Sequence, residues 1–211
     1  MSFLLKDQVY EKLLGLLNEG KLEPGKTYSL NALAADLNMS RTPVRDAIMK
    51  LADERRLDLL PSRGVRLHQM TEEEMHQHYH FSTAIEGYCA ACLAKAYEEN
   101  PNNIYVRQME KDLEGMVELA GEEGDFSSFF ALDQDFHRKL LESLEDDYFR
   151  SLQYSPMGFF GHPELQRSPE KLPRKSVCQC HENILNAVRE GNPVEAYQAV
   201  MEHAKLMYQG L

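Results

Sequence analysis

The stretch Asn38-Met39-Ser40-Arg41-Thr42-Pro43-Val44-Arg45-Asp46 decides how the first third of this chain folds. Apolar residues recur at helical spacing on both sides of it: Leu30, Leu33, Ala34 and Leu37 before, Val44, Ile48 and Leu51 after. Ser29 predicts the N-cap of the first short helix, and the second begins at Ser40. The link Asn38-Met39-Ser40 is short enough to set two helices in a helix-turn-helix arrangement. Pro43 falls in a first turn, where its missing N–H costs nothing. Arg41 and Arg45 are four residues apart and project from one face of that helix, with Thr42 beside them. Guanidinium forks suit guanine edges and phosphates, and the positive helix end suits phosphates as well.

Working outward, Leu4 to Leu17 carries Leu5, Val9, Leu13, Leu16 and Leu17 at helical spacing, and Gly20 and Pro24-Gly25 stop it. Downstream, Leu57-Asp58-Leu59-Leu60 and Val65-Arg66-Leu67-His68 flank the turn Pro61-Ser62-Arg63-Gly64, the pattern of a hairpin. Helix, helix, helix and hairpin make a winged helix-turn-helix over 1–70, with Arg63 and Gly64 at the tip of a wing. The whole chain of 211 residues has a net charge of −11, which looks wrong for a nucleic-acid partner. The average hides an asymmetry: 1–70 is +2 and 71–211 is −13, so the cationic surface lies where phosphate would be met.

From Thr71 onward the pattern is helical. Thr71 and Glu74 form a capping box, and the helix they open runs to Asn100-Pro101. Further helices are predicted over about 103–120, from near Asp125, over 146–154, over 174–190, and over 193–209 behind Asn192 and Pro193; 155–173 is expected to be a loop. The fold class is therefore mostly α: the winged helix over 1–70, then an antiparallel bundle of about six helices over 71–211. There is no apolar run long enough to span a membrane and no export signal, so a cytoplasmic protein with free thiols is expected.

Asp133 and His137 stand four apart on one predicted helix, where both can face one cation. His181 and His203 lie on apolar faces of two others. Each feature alone reads more often as a hydrogen-bonded surface pair or a core histidine. Together they make a set suited to a divalent cation such as Zn²⁺ or Ni²⁺. Cys89-Ala90-Ala91-Cys92 and Cys178-Gln179-Cys180 are read as packing thiols, and His76, His78 and His80 as a solvated helix start. A metal-dependent hydrolase with an Asp/His site is the alternative; it leaves the wing without a purpose.

Ser40-Arg41-Thr42-Pro43-Val44-Arg45-Asp46-Ala47, with Gly20-Lys21-Leu22-Glu23-Pro24-Gly25 upstream, resembles the winged helix of GntR-family bacterial regulators, which read "SRTPVREAL" at this place. The resemblance implies that Arg41, Thr42, Arg45 and Gly64 approach double-stranded DNA; one winged helix reads only a few base pairs, so a homodimer on an inverted-repeat operator is expected. The remainder is similar to the FCD effector domain of the FadR branch, in its shorter, VanR-like form. Asp133-x-x-Phe136-His137, with His181 and His203 22 residues apart, matches that branch's metal ligands. A small-molecule effector, a metabolite acid, is implied. Members often carry an arginine four residues before the glutamate matching Glu86 to hold that acid; this chain has Ser82 there, leaving Arg174 as a substitute by charge alone.

Overall fold

The computed structural model describes residues 5–18, 21–23, 25–121, 125–152 and 173–208, and these separate into two compact units, up to Gln69 and from Met70. In the first, α1 (Leu5–Asn18), β1 (Thr27–Tyr28), α2 (Leu30–Asp36), α3 (Arg41–Asp53), β2 (Leu57–Leu60) and β3 (Gly64–Leu67) follow in order. Val9, Leu13, Leu33, Val44, Ile48, Leu51, Leu57 and Val65 form its core. Each such side chain contributes about 1.5–3 kcal/mol by leaving water. Ser29 caps α2 as expected, its Oγ accepting from Ala32 N at 3.1 Å. Asn38 turns the chain between α2 and α3 with φ of 52°, a conformation asparagine tolerates.

The hairpin expected around Gly64 is present, with Leu60 paired to Gly64 and Leu57 to Leu67. A two-residue strand that periodicity did not foretell joins it: β1 pairs antiparallel with β3, giving the order β1-β3-β2. Gly64 is required here. Its φ is +121°, and an added Cβ would sit 2.1 Å from the carbonyl oxygen of Tyr28.

The second unit contains α4 (Glu72–Glu99), α5 (Ile104–Leu119), α6 (Phe126–Glu142), α7 (Asp147–Leu152), α8 (Arg174–Arg189) and α9 (Pro193–Tyr208), six helices among the described residues. The capping box at Thr71 and Glu74 forms in both directions. Asp125 caps α6 through Ser128 N, and Asn192 caps α9 through Glu195 N. The loop expected over 155–173 lies outside the described residues, apart from Pro173. Leu93, Val106, Met109, Phe136, Leu140, Ile184, Leu185, Val188 and Val200 fill the centre. Gly87 lets α9 approach α4 closely, because a Cβ there would meet the Tyr197 ring at 2.7 Å.

One expectation is corrected. His76 and His80 are exposed, but His78 is buried and its Nδ1 lies 2.5 Å from the Tyr208 hydroxyl. Positions 75, 78, 82 and 86 follow the helical period, so His78 lies on the inward stripe of α4 with Met75, Ser82 and Glu86.

Candidate functional site

The first unit presents its cations on α3 and at the wing. Arg41, Thr42 and Arg45 are all exposed on the first two turns of α3, while Pro43 and Val44 between them are buried. Burial of Val44, Ala47, Ile48 and Leu51 fixes the helix rotation and leaves the arginines outside. Ser40 makes no side-chain cap bond, unlike Ser29. The first amides of α3 are thus left without that side-chain partner, as an anion-binding helix start requires. Arg63 is exposed at the hairpin turn. Arg66, two residues beyond Gly64 on β3, is held by Asp58 at 2.9 Å, and His68 takes the other oxygen of Asp58 at 2.6 Å. Gly64 has a structural reason for being glycine that is independent of any partner.

In the second unit, α6 contributes Asp133 and His137, α8 contributes His181 and α9 contributes His203. Each of the four is at most 2% exposed. One ligand atom from each lies within 4.8 Å of all the others. His181 Nε2 and His203 Nε2 each stand 3.2 Å from His137 Nε2, and Asp133 Oδ1 is 3.5 Å from His181 Nε2. Metal–nitrogen bonds of about 2.0–2.1 Å around a shared centre set neighbouring nitrogens about 3.0–3.4 Å apart, so the donors fit one cation. Three imidazoles and a carboxylate are the donor chemistry of a borderline divalent metal.

Two residues outside this set shape it. Phe136 stacks on the His181 ring, with centroids 4.2 Å apart and planes within 10°. Glu86 on α4 accepts a hydrogen bond from His137 Nδ1 at 2.7 Å, which turns Nε2 towards the other donors. Both contacts escaped sequence reasoning. Glu86 lies 51 residues from His137, and nothing in its local pattern marks it as a partner of that ring.

The electrostatics follow from burial. Asp133 is pushed up to about 6, first by loss of water and then by the Glu86 charge, against the pull of His137. Burial lowers the His137 imidazole, but the charge and hydrogen bond of Glu86, helped by Asp133, hold it at about 9. Without a cation, His137 therefore carries a proton, and His203 is driven well down by burial and by that charge. A divalent cation held at the same point would take the place of that proton. Cys178 is raised to about 11, chiefly by burial and then by Asp133, so it is an inert thiol here. Cys89 is fully buried and its thiol is pushed up for the same first reason.

Arg174 is not brought to this cluster. It begins α8, donates from Nη1 to the Leu119 carbonyl at 2.9 Å and lies over the Phe129 ring, closing the C-terminal end of α5. Asp135 pairs with Arg138 and does not join the cluster.

Residues 5–67 match the family described as bacterial regulatory proteins, gntR family, and residues 74–206 match the FCD domain. A relative from Paenarthrobacter nicotinovorans, named a probable D-xylose utilization operon transcriptional repressor, is 27% identical over 199 residues, spanning 93% of this chain and 84% of its own. Among solved structures, Escherichia coli McbR/YncC superposes with a TM-score of 0.78 at 21% identity, covering 98% of both chains. A GntR regulator from Rhodococcus sp. RHA1 gives 0.75 at 18% identity, again over 98% of both. The two structures share the fold. Among the described residues, no helix is long and apolar enough to cross a membrane.

Proposed function

We propose a function from one premise: the chain belongs to the GntR-type transcriptional regulators that carry an FCD domain. These are DNA-binding regulators and not enzymes, which removes the hydrolase alternative. Within that class, the convergence of Asp133, His137, His181 and His203 carries our reading of the second unit as a metal-held effector domain. The four would hold one Zn²⁺ or Ni²⁺ per chain. That ion supplies a Lewis-acidic point at which an oxygen of a small metabolite can be bound.

This chain's own residues do the rest. Glu86 orients His137, Phe136 holds the plane of His181, and the surrounding apolar core keeps water from the donors. Arg41, Thr42, Arg45 and Arg63 contact the duplex, and Gly64 lets the wing backbone come close. One winged helix reads only a few base pairs, so a homodimer on an inverted repeat is the arrangement expected. The effector acts on DNA affinity only through a difference in its affinity for the DNA-competent and incompetent arrangements.

Two measurements test this. Arg45→Ala should weaken specific operator binding by about 1–3 kcal/mol in a gel shift while leaving metal content unchanged. Normal operator binding by both Arg41→Ala and Arg45→Ala would refute the recognition surface. His181→Ala should lose the metal and lower the melting temperature. Absence of transition metal from the wild-type protein, with no uptake on addition, would refute the centre.

A further inference from the structure

Resting on the metal centre proposed above, we infer that its effector is a neutral, hydroxyl-rich molecule, a polyol or sugar, and not the organic acid that the resemblance implies. The argument is a charge count in a buried site. A divalent cation held there meets two carboxylates: Asp133, a ligand, and Glu86, bonded to His137 at 2.7 Å and 6% exposed. With three neutral imidazoles the centre is then balanced, and a carboxylate effector would add an uncompensated buried negative charge.

Among the described residues, no cation stands ready to offset it. Among the described residues no lysine or arginine is buried. The half-buried ones of the second unit are Arg138, Lys139 and Arg174, and each is committed elsewhere: to Asp135, to Asp112, and to the Leu119 carbonyl.

Apart from Glu86, the same inward stripe of α4 carries hydrogen-bonding side chains without a carboxylate. Glu86, Ser82 and His78 are spaced four residues apart, and Thr83 lies beside them; all are buried. Ser82 donates weakly to the Tyr79 carbonyl at 3.3 Å, and His78 meets Tyr208. Thr83 is 8% exposed, and its Oγ1 has no hydrogen-bond partner among the described residues. A buried hydroxyl left in that state is costly unless a ligand satisfies it. Hydroxyl groups both donate and accept, so they match serine, threonine, histidine and tyrosine without bringing charge.

The test uses matched pairs that share a carbon skeleton and differ only in CH2OH against carboxylate: glycerol and glycerate, xylitol and xylonate, sorbitol and gluconate. Each is titrated calorimetrically into the full-length protein, with metal content measured on the same sample. At least one polyol should bind, and its acid partner should bind about tenfold or more weakly. Glu86→Gln, nearly isosteric, should move that ratio about tenfold or more towards the acid. An acid that binds as well as its polyol overturns the inference, as does silence from every polyol or an unchanged ratio in the metal-loaded variant. A wild-type sample that takes up no metal refutes the centre itself, and the inference with it.

Discussion

The contact between Glu86 and His137 offers a test that needs neither DNA nor metal. Replacing His137 with Leu in the chelated protein keeps roughly the same volume but leaves the Glu86 carboxylate, 6% exposed, without the ring N–H it accepts at 2.7 Å. Removing one partner of a buried charged pair costs about 3–5 kcal/mol, because the other charge is left uncompensated. Replacing both members with apolar residues is often neutral, so adding Glu86→Met should recover at least half of the loss. Urea unfolding of the helical unit, followed by circular dichroism at pH 7 with chelator present, measures all of this. A single variant within 1 kcal/mol of wild type, or a double variant weaker than the single, would refute the buried pair as a charged contact.

The buried charges and the strained wing glycine give two further expected outcomes. His137 is held at about 9 in the folded state against an ordinary 6.5, so the folded protein binds the proton more tightly. The metal-free protein should lose about 3 kcal/mol as pH rises from 6.5 through 9. Asp133 acts with the same sign but mostly below pH 6, His203 acts with the opposite sign as pH falls below 6.5, and the raised thiols Cys89, Cys178 and Cys180 act with the same sign only near and above pH 9. Thermal melts should show the slope with chelator, and metal or Glu86→Gln should flatten it; a flat profile in the chelated wild type contradicts the assignment. At the wing, Gly64→Ala forces a side chain to φ of +121° and a Cβ to 2.1 Å from Tyr28 O. A loss of 2 kcal/mol or more is expected from the backbone strain and separation of β1 from β3, read by urea unfolding. Wild-type stability in that variant would show that the hairpin does not close against β1.

Much of this protein was legible because the deciding interactions span three or four residues. Ser29 reaching Ala32 N, Thr71 exchanging bonds with Glu74, and Asn192 ahead of Pro193 are local, so their spacing sets the helix starts before any packing exists. The rotation of α3 is local in the same sense: its apolar positions choose the buried face, and Arg41 and Arg45 take what remains. Asp133 and His137 share a face by the helical period alone. What joins them is not local. Glu86 reaches His137 across 51 residues, Arg174 reaches Leu119 across 55, and His78 reaches Tyr208 across 130. The β1 strand of two residues exists only because the free edge of β3 lies beside it. These pairings depend on how whole helices and strands are set against one another, which the packing of Phe136, Leu140, Ile184 and Val188 decides. The four residues of the proposed centre were thus legible in the chain, while the neighbours that orient them, Glu86 and Phe136, were chosen by the core.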